Sequence, residues 1–159
     1  MCVPRRDSTV GPGVRAAQES VRAGRDGVGA YEEAVAQLRL RYRLSAMTAD
    51  AYAGEGWTAV VQDVVLGEEL SAYVELVRTR PLYVVVLAPD PRVVAEREAA
   101  RSKNGYGAGW TVESLDRVLR EETPPIGLWL DTTGQTVEQT VDAVLAELGR
   151  ARVVGAAES

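Results

Sequence analysis

The chain has 159 residues, 46% hydrophobic and 26% charged, a length and balance that suit one globular domain with a core of its own. With no His and a single Cys, Cys2, it holds no Ser-His-Asp triad, Cys-His pair, zinc finger or CxxC redox centre. Its net charge of −5 is concentrated beyond residue 43, where ten basic residues face eighteen acidic ones without any basic stripe interleaved with aromatics, so no nucleic-acid partner is expected.

Residues 1–29 mix Arg, Gly, Ser and Asp without apolar periodicity and are read as a disordered or loosely attached leader. Arg5 and Arg6 are followed by Gly11, Pro12 and Gly13 where a signal peptide would have its apolar stretch, so a cytoplasmic location is expected. A partial domain then runs over 30–150, with 151–159 as a disordered tail. In it Tyr31, Val35, Leu38, Tyr42, Ala46 and Ala49 recur at three and four, which predicts a helix over 31–53 closed by Gly54 and Gly56. The stretch Leu38 to Leu44 alternates apolar residues with Arg39, Arg41 and Arg43 and by itself suits a strand; the longer period favours the helix.

Trp57 to Leu66 is β-branched and continuous between glycines, as a strand buried on both faces should be. Gly67 opens a helix with Leu70, Tyr73, Val74 and Val77 on one side, and Leu82 to Ala88 is a second buried strand. That run, to Pro89, is the longest apolar one and about half of what a helix needs to cross a bilayer, so no membrane partner is expected. Asp90 and Pro91 supply an N-cap and a first-turn proline for a helix over 91–101. A Gly-rich segment, 102–110, precedes a helix starting at Thr111 and ended by Pro124 and Pro125. Ile126 to Leu130 is a third strand, and Thr136 with Gln139 forms a capping box for a last helix that stops at Gly149. This alternation implies an α/β fold of three layers, a parallel sheet with flanking helices, whose ligands bind at the carboxyl ends of the strands. Asp63, Asp90 and Asp131 stand at those ends.

Asp63 suits a magnesium-bound water or an acceptor hydroxyl, or simply a cap for the next helix. Arg97 and Arg101 lie four apart on one helix face, just before Lys103, where three cations can converge on a polyphosphate; a solvated helix end explains them equally simply. Gly105, Gly107 and Gly109 follow a helix instead of a strand, which excludes a dinucleotide-binding loop. Asp131, Thr132 and Thr133 suit contacts to a base or ribose, or a tight strand-to-helix turn. Lys103, the only Lys, is followed by Asn104, so no G-x-x-x-x-G-K-[ST] phosphate loop occurs in the sequence.

Four segments, QLRLRYRL, WTAVVQDVVLGEEL, RPLYVVVLAPDPRVVAEREAARSKNGY and LDRVLREETPPIGLWLDTTGQTVEQTVDAVLAEL, together resemble the chloramphenicol phosphotransferase-like family of P-loop small-molecule kinases. The resemblance spans about Gln37 to Leu148. It implies an ATP-dependent phosphotransferase that uses Mg2+ and a small hydroxyl-bearing acceptor. Asp63 would fall at the acidic strand end beside magnesium or the acceptor, although Gln62 stands where that family has a second acid. Arg97 and Arg101 would lie on the lid helix over the transferring phosphates, with Lys103 assisting, and Asp131 and Thr132 near the nucleotide base. The resemblance further implies an incomplete, N-terminally truncated fold, lacking the family's first strand, phosphate loop and second strand. Catalysis by this chain is then expected to be weak or absent, because the phosphate loop does most of the positioning. In that family the first strand lies between those matching 57–66 and 82–88, leaving a gap of roughly 9.5 Å. The two are therefore expected to pair directly or to leave a marginally stable sheet, and exposed strand edges make a homo-oligomer possible. The alternative is a non-catalytic nucleotide-binding or protein-interaction module.

Overall fold

The computed structural model describes residues 27–100 and 111–153; the leader 1–26, the Gly-rich segment 101–110 and residues 154–159 lie outside them. The chain divides into two units, Met1–Ser45 and Ala46–Ser159, with the boundary inside the first helix. That helix, α1, spans Gly27–Gly54 and so begins inside the expected leader. The alternating stretch 38–44 is helical, as the longer period indicates. In the first unit Gln37 Nε2 donates to Glu33 Oε1 one turn back, and the Arg41 guanidinium lies 5.5 Å from the centre of the Tyr42 ring.

The second unit starts with the last turns of α1, closed by amides of Glu55 and Gly56 on the carbonyls of Tyr52 and Ala53. Gly56 has φ 83°, the left-handed conformation that ends a helix at low cost for glycine. Here the structure departs from expectation: residues 57–66 join no sheet among the described residues. They have neither a pairing with 82–88 nor a place in the core, and Val60 is 90% exposed. β-propensity describes fitness for a pleated, half-buried surface, and without a neighbouring strand it has nothing to act on.

After a turn at Gly67 and Glu68, α2 covers Glu69–Leu76. The expected strand 82–88 forms two short pieces, β1 (Leu82–Tyr83) and β2 (Val85–Leu87), interrupted at Val84. Helix α3 runs over Pro91–Ala99, with the Asp90 carboxylate accepting from the Arg92 amide as N-cap. Helix α4, Val112–Arg117, opens on a capping box between Thr111 and Ser114 and widens into a π turn, Val118–Glu122. Strand β3 is Leu128–Leu130, and α5, Val137–Ala146, carries the Thr136–Gln139 capping box. The last helix does not run on to Gly149: it breaks at Glu147 and resumes as α6, Leu148–Ala151. Arg152 and Val153, expected in the tail, form β4.

Two small sheets form among the described residues: β2 pairs with β3 in parallel, Val85 opposite Leu128 and Leu87 opposite Leu130, and β1 pairs with β4 antiparallel. Both partners use the same edge of the 82–88 segment. The amide of Val84 donates to the Ala151 carbonyl at 2.8 Å, while its carbonyl accepts from the Leu128 amide at 2.9 Å. The core gathers around Leu128, 1% exposed, with Leu130 and Ala151, against Val85, Ala143, Val144 and Leu148. Leu128 is the one large side chain buried almost completely among the described residues. Gly127 enters β3 with φ 76°, where a Cβ would stand 2.3 Å from the Val84 carbonyl oxygen. No helix among the described residues is long and apolar enough to cross a membrane.

Candidate functional site

The parallel pair β2–β3 determines where its two carboxyl-end loops meet. Past β2 the chain reads Ala88, Pro89, Asp90; past β3 it reads Asp131, Thr132, Thr133. The Ala88 amide still donates to the Leu130 carbonyl at 2.8 Å, so the ladder holds the two loops side by side. Thr133 then joins them. Its hydroxyl accepts from the Asp90 amide at 2.8 Å and donates to Asp131 Oδ1, which also takes the Thr133 amide at 2.9 Å.

Three arginines surround this junction. Arg97 on α3 reaches back to the carbonyls of Thr132 and Thr133, both at 3.4 Å. Arg120, in the π turn, grips both oxygens of Asp116 four residues earlier and donates to the Pro89 carbonyl at 3.1 Å. Arg92 pairs with Asp90 at 3.1 Å, with its side chain 87% exposed. Helix α3 packs on α4, which brings Arg97 and Arg120 to one end of the sheet.

The electrostatics follow from these contacts. Asp90 is held below the ordinary carboxylate range, first by the Arg92 side-chain hydrogen bond and then by the Arg92 amide, with the charges of Arg92 and Arg120 adding to them. Asp131 is lowered first by the Thr133 hydroxyl and then by the Thr133 amide; Arg120 assists, and the negative charge of Asp90 opposes. A general acid or base working near neutral pH needs a carboxyl raised toward that range. These two carboxylates are shifted the other way, so they hold the loops and the arginines in place. Each of the three guanidinium groups has five N–H donors and uses only some of them in these contacts, and the remainder have the chemistry of anion recognition.

Of the residues singled out from the sequence, Arg97, Asp131 and Thr132 are brought together here; Thr132 is buried and offers its carbonyl to Arg97. Asp63 is half-buried in the 57–66 segment, away from the β2–β3 ladder, with its Oδ1 accepting from the Val64 amide at 2.7 Å. Arg101 and Lys103 lie outside the described residues. Thr133, read with Asp131 and Thr132 as a base or ribose contact or a tight turn, is the residue that joins the two loops; Arg120 and Arg92 were not singled out, although two signals point to them: the Asp116–Arg120 spacing of four, and the Asp-Pro-Arg start of α3. Among the described residues no group of three His, Cys, Asp or Glu side chains is placed to hold a metal ion. No protein-family model, curated protein or solved structure matches the chain.

Proposed function

We propose that the chain belongs to the P-loop small-molecule phosphotransferases, with a parallel three-layer α/β design of which β2 and β3 are part. It binds ATP at the carboxyl end of β2 and β3. The observation that carries this reading is Arg97 crossing from α3 onto the Thr132 and Thr133 carbonyls, beside Arg120 on the Pro89 carbonyl. It places two guanidinium groups at the strand ends where α/β sheets take their ligands. In this reading Arg97 and Arg101 approach the transferring phosphates, Lys103 assists, and Asp131 and Thr132 border the nucleotide base.

Asp63 supplies a single hard carboxylate, which suits a magnesium ion held mostly by nucleotide phosphates and water. That ion, when bound, neutralises charge on the phosphates; the chain's own arginines do the same from the protein side. The acceptor is a small hydroxyl-bearing molecule. Because the phosphate-loop motif does not occur in the sequence, these 159 residues bind nucleotide with little or no turnover.

The test is thermal and urea unfolding with and without magnesium-ATP. Binding saturated a hundredfold adds about 2.7 kcal/mol of stability. Arg97→Ala should remove most of that gain and leave nucleotide-free stability nearly unchanged. No stabilisation at millimolar nucleotide would refute the reading. The other function, a non-catalytic nucleotide-binding or protein-interaction module, is favoured in its interaction form by one observation, the exposure of Trp57, Val60, Val61 and Val64.

A further inference from the structure

The segment 82–88 uses one of its two edges. Val84, Val86 and Ala88 direct their peptide groups to β3, as the register and the Leu128-to-Val84 and Ala88-to-Leu130 bonds require, and the Val84 amide meets the Ala151 carbonyl on the same side. Successive peptide groups alternate, so those of Tyr83, Val85 and Leu87 face the other side, where no strand is paired among the described residues. The side chains of these three residues share the face that β3 turns to the core, since Val85 lies opposite Leu128 and Leu87 opposite Leu130. Val85 packs on that core, but Tyr83 is 42% and Leu87 51% exposed. On β3, by contrast, Leu128 and Leu130 are buried and Trp129 is half-buried.

The order of residues along this edge is close to symmetric. Residues 81–89 read Pro-Leu-Tyr-Val-Val-Val-Leu-Ala-Pro, and reversal about Val85 exchanges Pro81 with Pro89, Leu82 with Ala88, Tyr83 with Leu87 and Val84 with Val86. Every one of these exchanges sets an apolar residue against another. Pro81 and Pro89 fall at the next outward positions on either side, and neither has an N–H, so the edge ends in the same way at both ends. Arg80 stands just before it and Asp90 just after it.

We propose that the outward edge of β1 and β2 pairs antiparallel with the same edge of a second copy of this chain, about a two-fold axis at Val85. A second copy is the occupant because a two-fold antiparallel junction sets a strand against its own reversed sequence, and this sequence matches its reverse. The register follows. Val85 faces its counterpart, and Tyr83 of each copy faces Leu87 of the other, each a pair that exchanges both backbone bonds. A slip of two residues either way brings Pro81 or Pro89 into the ladder and loses a bond. On the core-side face Tyr83 and Leu87, exposed in the single copy, cover each other across the junction. Charge agrees with the direction: antiparallel pairing brings Arg80 toward Asp90 of the other copy, where parallel pairing would set like against like. Asp90 keeps Arg92, and the Arg80 guanidinium keeps the Val77 and Thr79 carbonyls, so these charges decide direction more than strength. Because both copies use the same edge, the contact is isologous and closes as a dimer.

Sedimentation velocity of the full chain over a wide concentration range tests this, and a concentration-dependent dimer with no longer species is the expected result. Tyr83→Lys and Leu87→Glu each put a charge at an exposed position of the edge, and each should weaken association about tenfold or more. An equimolar mixture of the two variants sets the new positive charge opposite the new negative one and keeps an unaltered Tyr83–Leu87 pair across the axis, so association should return. That recovery depends on the antiparallel register centred at Val85. Amide exchange on the unmodified chain gives a readout independent of how well either variant folds. The amides of Tyr83, Val85 and Leu87 should slow as concentration rises, while those of Val84 and Ala88, bonded within one copy, should change far less. A chain that stays monomeric, open-ended assembly, association indifferent to Tyr83→Lys, a mixture that does not associate, or exchange at the three outward amides independent of concentration would each overturn the proposal.

Discussion

Replacing Gly127 with Ala perturbs the point where β3 is locked to the preceding strand. At φ 76° an L side chain sits in the left-handed region, at a cost of roughly 1–2 kcal/mol. The added Cβ would stand 2.3 Å from the Val84 carbonyl oxygen, 2.7 Å from its Cβ and 2.9 Å from its carbonyl carbon. Two of those atoms are backbone, so rotating a side chain gives no relief, and the strands must separate locally at an overpacking cost of about 1–3 kcal/mol. That separation strains the 2.9 Å bond from the Leu128 amide to the same carbonyl, worth about another 0.5–1.5 kcal/mol. The expected loss is therefore on the order of 3–6 kcal/mol, a large share of an ordinary domain's 5–15 kcal/mol. Urea unfolding followed by far-UV circular dichroism measures it. Gly134→Ala is the control, since a Cβ there meets nothing within 4 Å, and its change should stay within about 1 kcal/mol. A Gly127→Ala loss below about 1 kcal/mol would refute the reasoning.

Asp50, near the end of α1, accepts the Arg78 amide at 3.1 Å and the Thr79 amide at 2.8 Å. Burial pushes its carboxyl up, but the Thr79 and Arg78 amides together bring it below its ordinary 3.8. Its contribution to stability is thus complete above the unfolded value and is lost as pH falls through the lower folded one. Asp50→Asn should flatten the acid limb of the urea midpoint plotted against pH, and an unchanged limb would remove Asp50 from the account. Thr133→Val leaves the Asp90 amide and Asp131 without the hydroxyl that joins them. It should cost about 1–3 kcal/mol in urea unfolding and abolish nucleotide stabilisation; a variant that retains both contradicts the junction described here.

Helix ends were the most legible part of the fold. Asp90 before Pro91 and Thr136 with Gln139 cap as read, and Thr111, read as the start of its helix, is that helix's N-cap, because a cap is decided by neighbours two or three residues away. Strands were less legible, for the opposite reason. WTAVVQDVVL and LYVVVLA are both rich in Val, yet the second forms strands and the first joins no sheet among the described residues, and what separates them is a partner elsewhere in the chain. β4 was invisible because two residues, Arg152 and Val153, carry no pattern; β1 supplies their order. At the candidate site Arg97, Asp131 and Thr132 could be found by looking at strand ends. For Arg120 the sequence shows the spacing of four from Asp116 but not the reach to the Pro89 carbonyl, which depends on a turn wider than the expected α-helical one. Asp63 was named for the end of a strand, and its position changes with the fate of that strand.

The way one strand edge is shared between β3 and β4 has a consequence for biosynthesis. Residues 82–88 leave the ribosome well before either of their partners, and the last of those partners is Arg152–Val153. At about 5–20 residues per second, the interval between them is roughly 3–13 s. Until Leu128–Leu130 are made the apolar strand has neither neighbour, and for the whole interval the core around Leu128 cannot close because Ala151 has not been made. Folding of this unit is therefore a late event in translation. A nascent chain stalled before residue 151 would present the 82–88 edge to chaperones, and a ribosome-release assay that varies the stall point would locate the step.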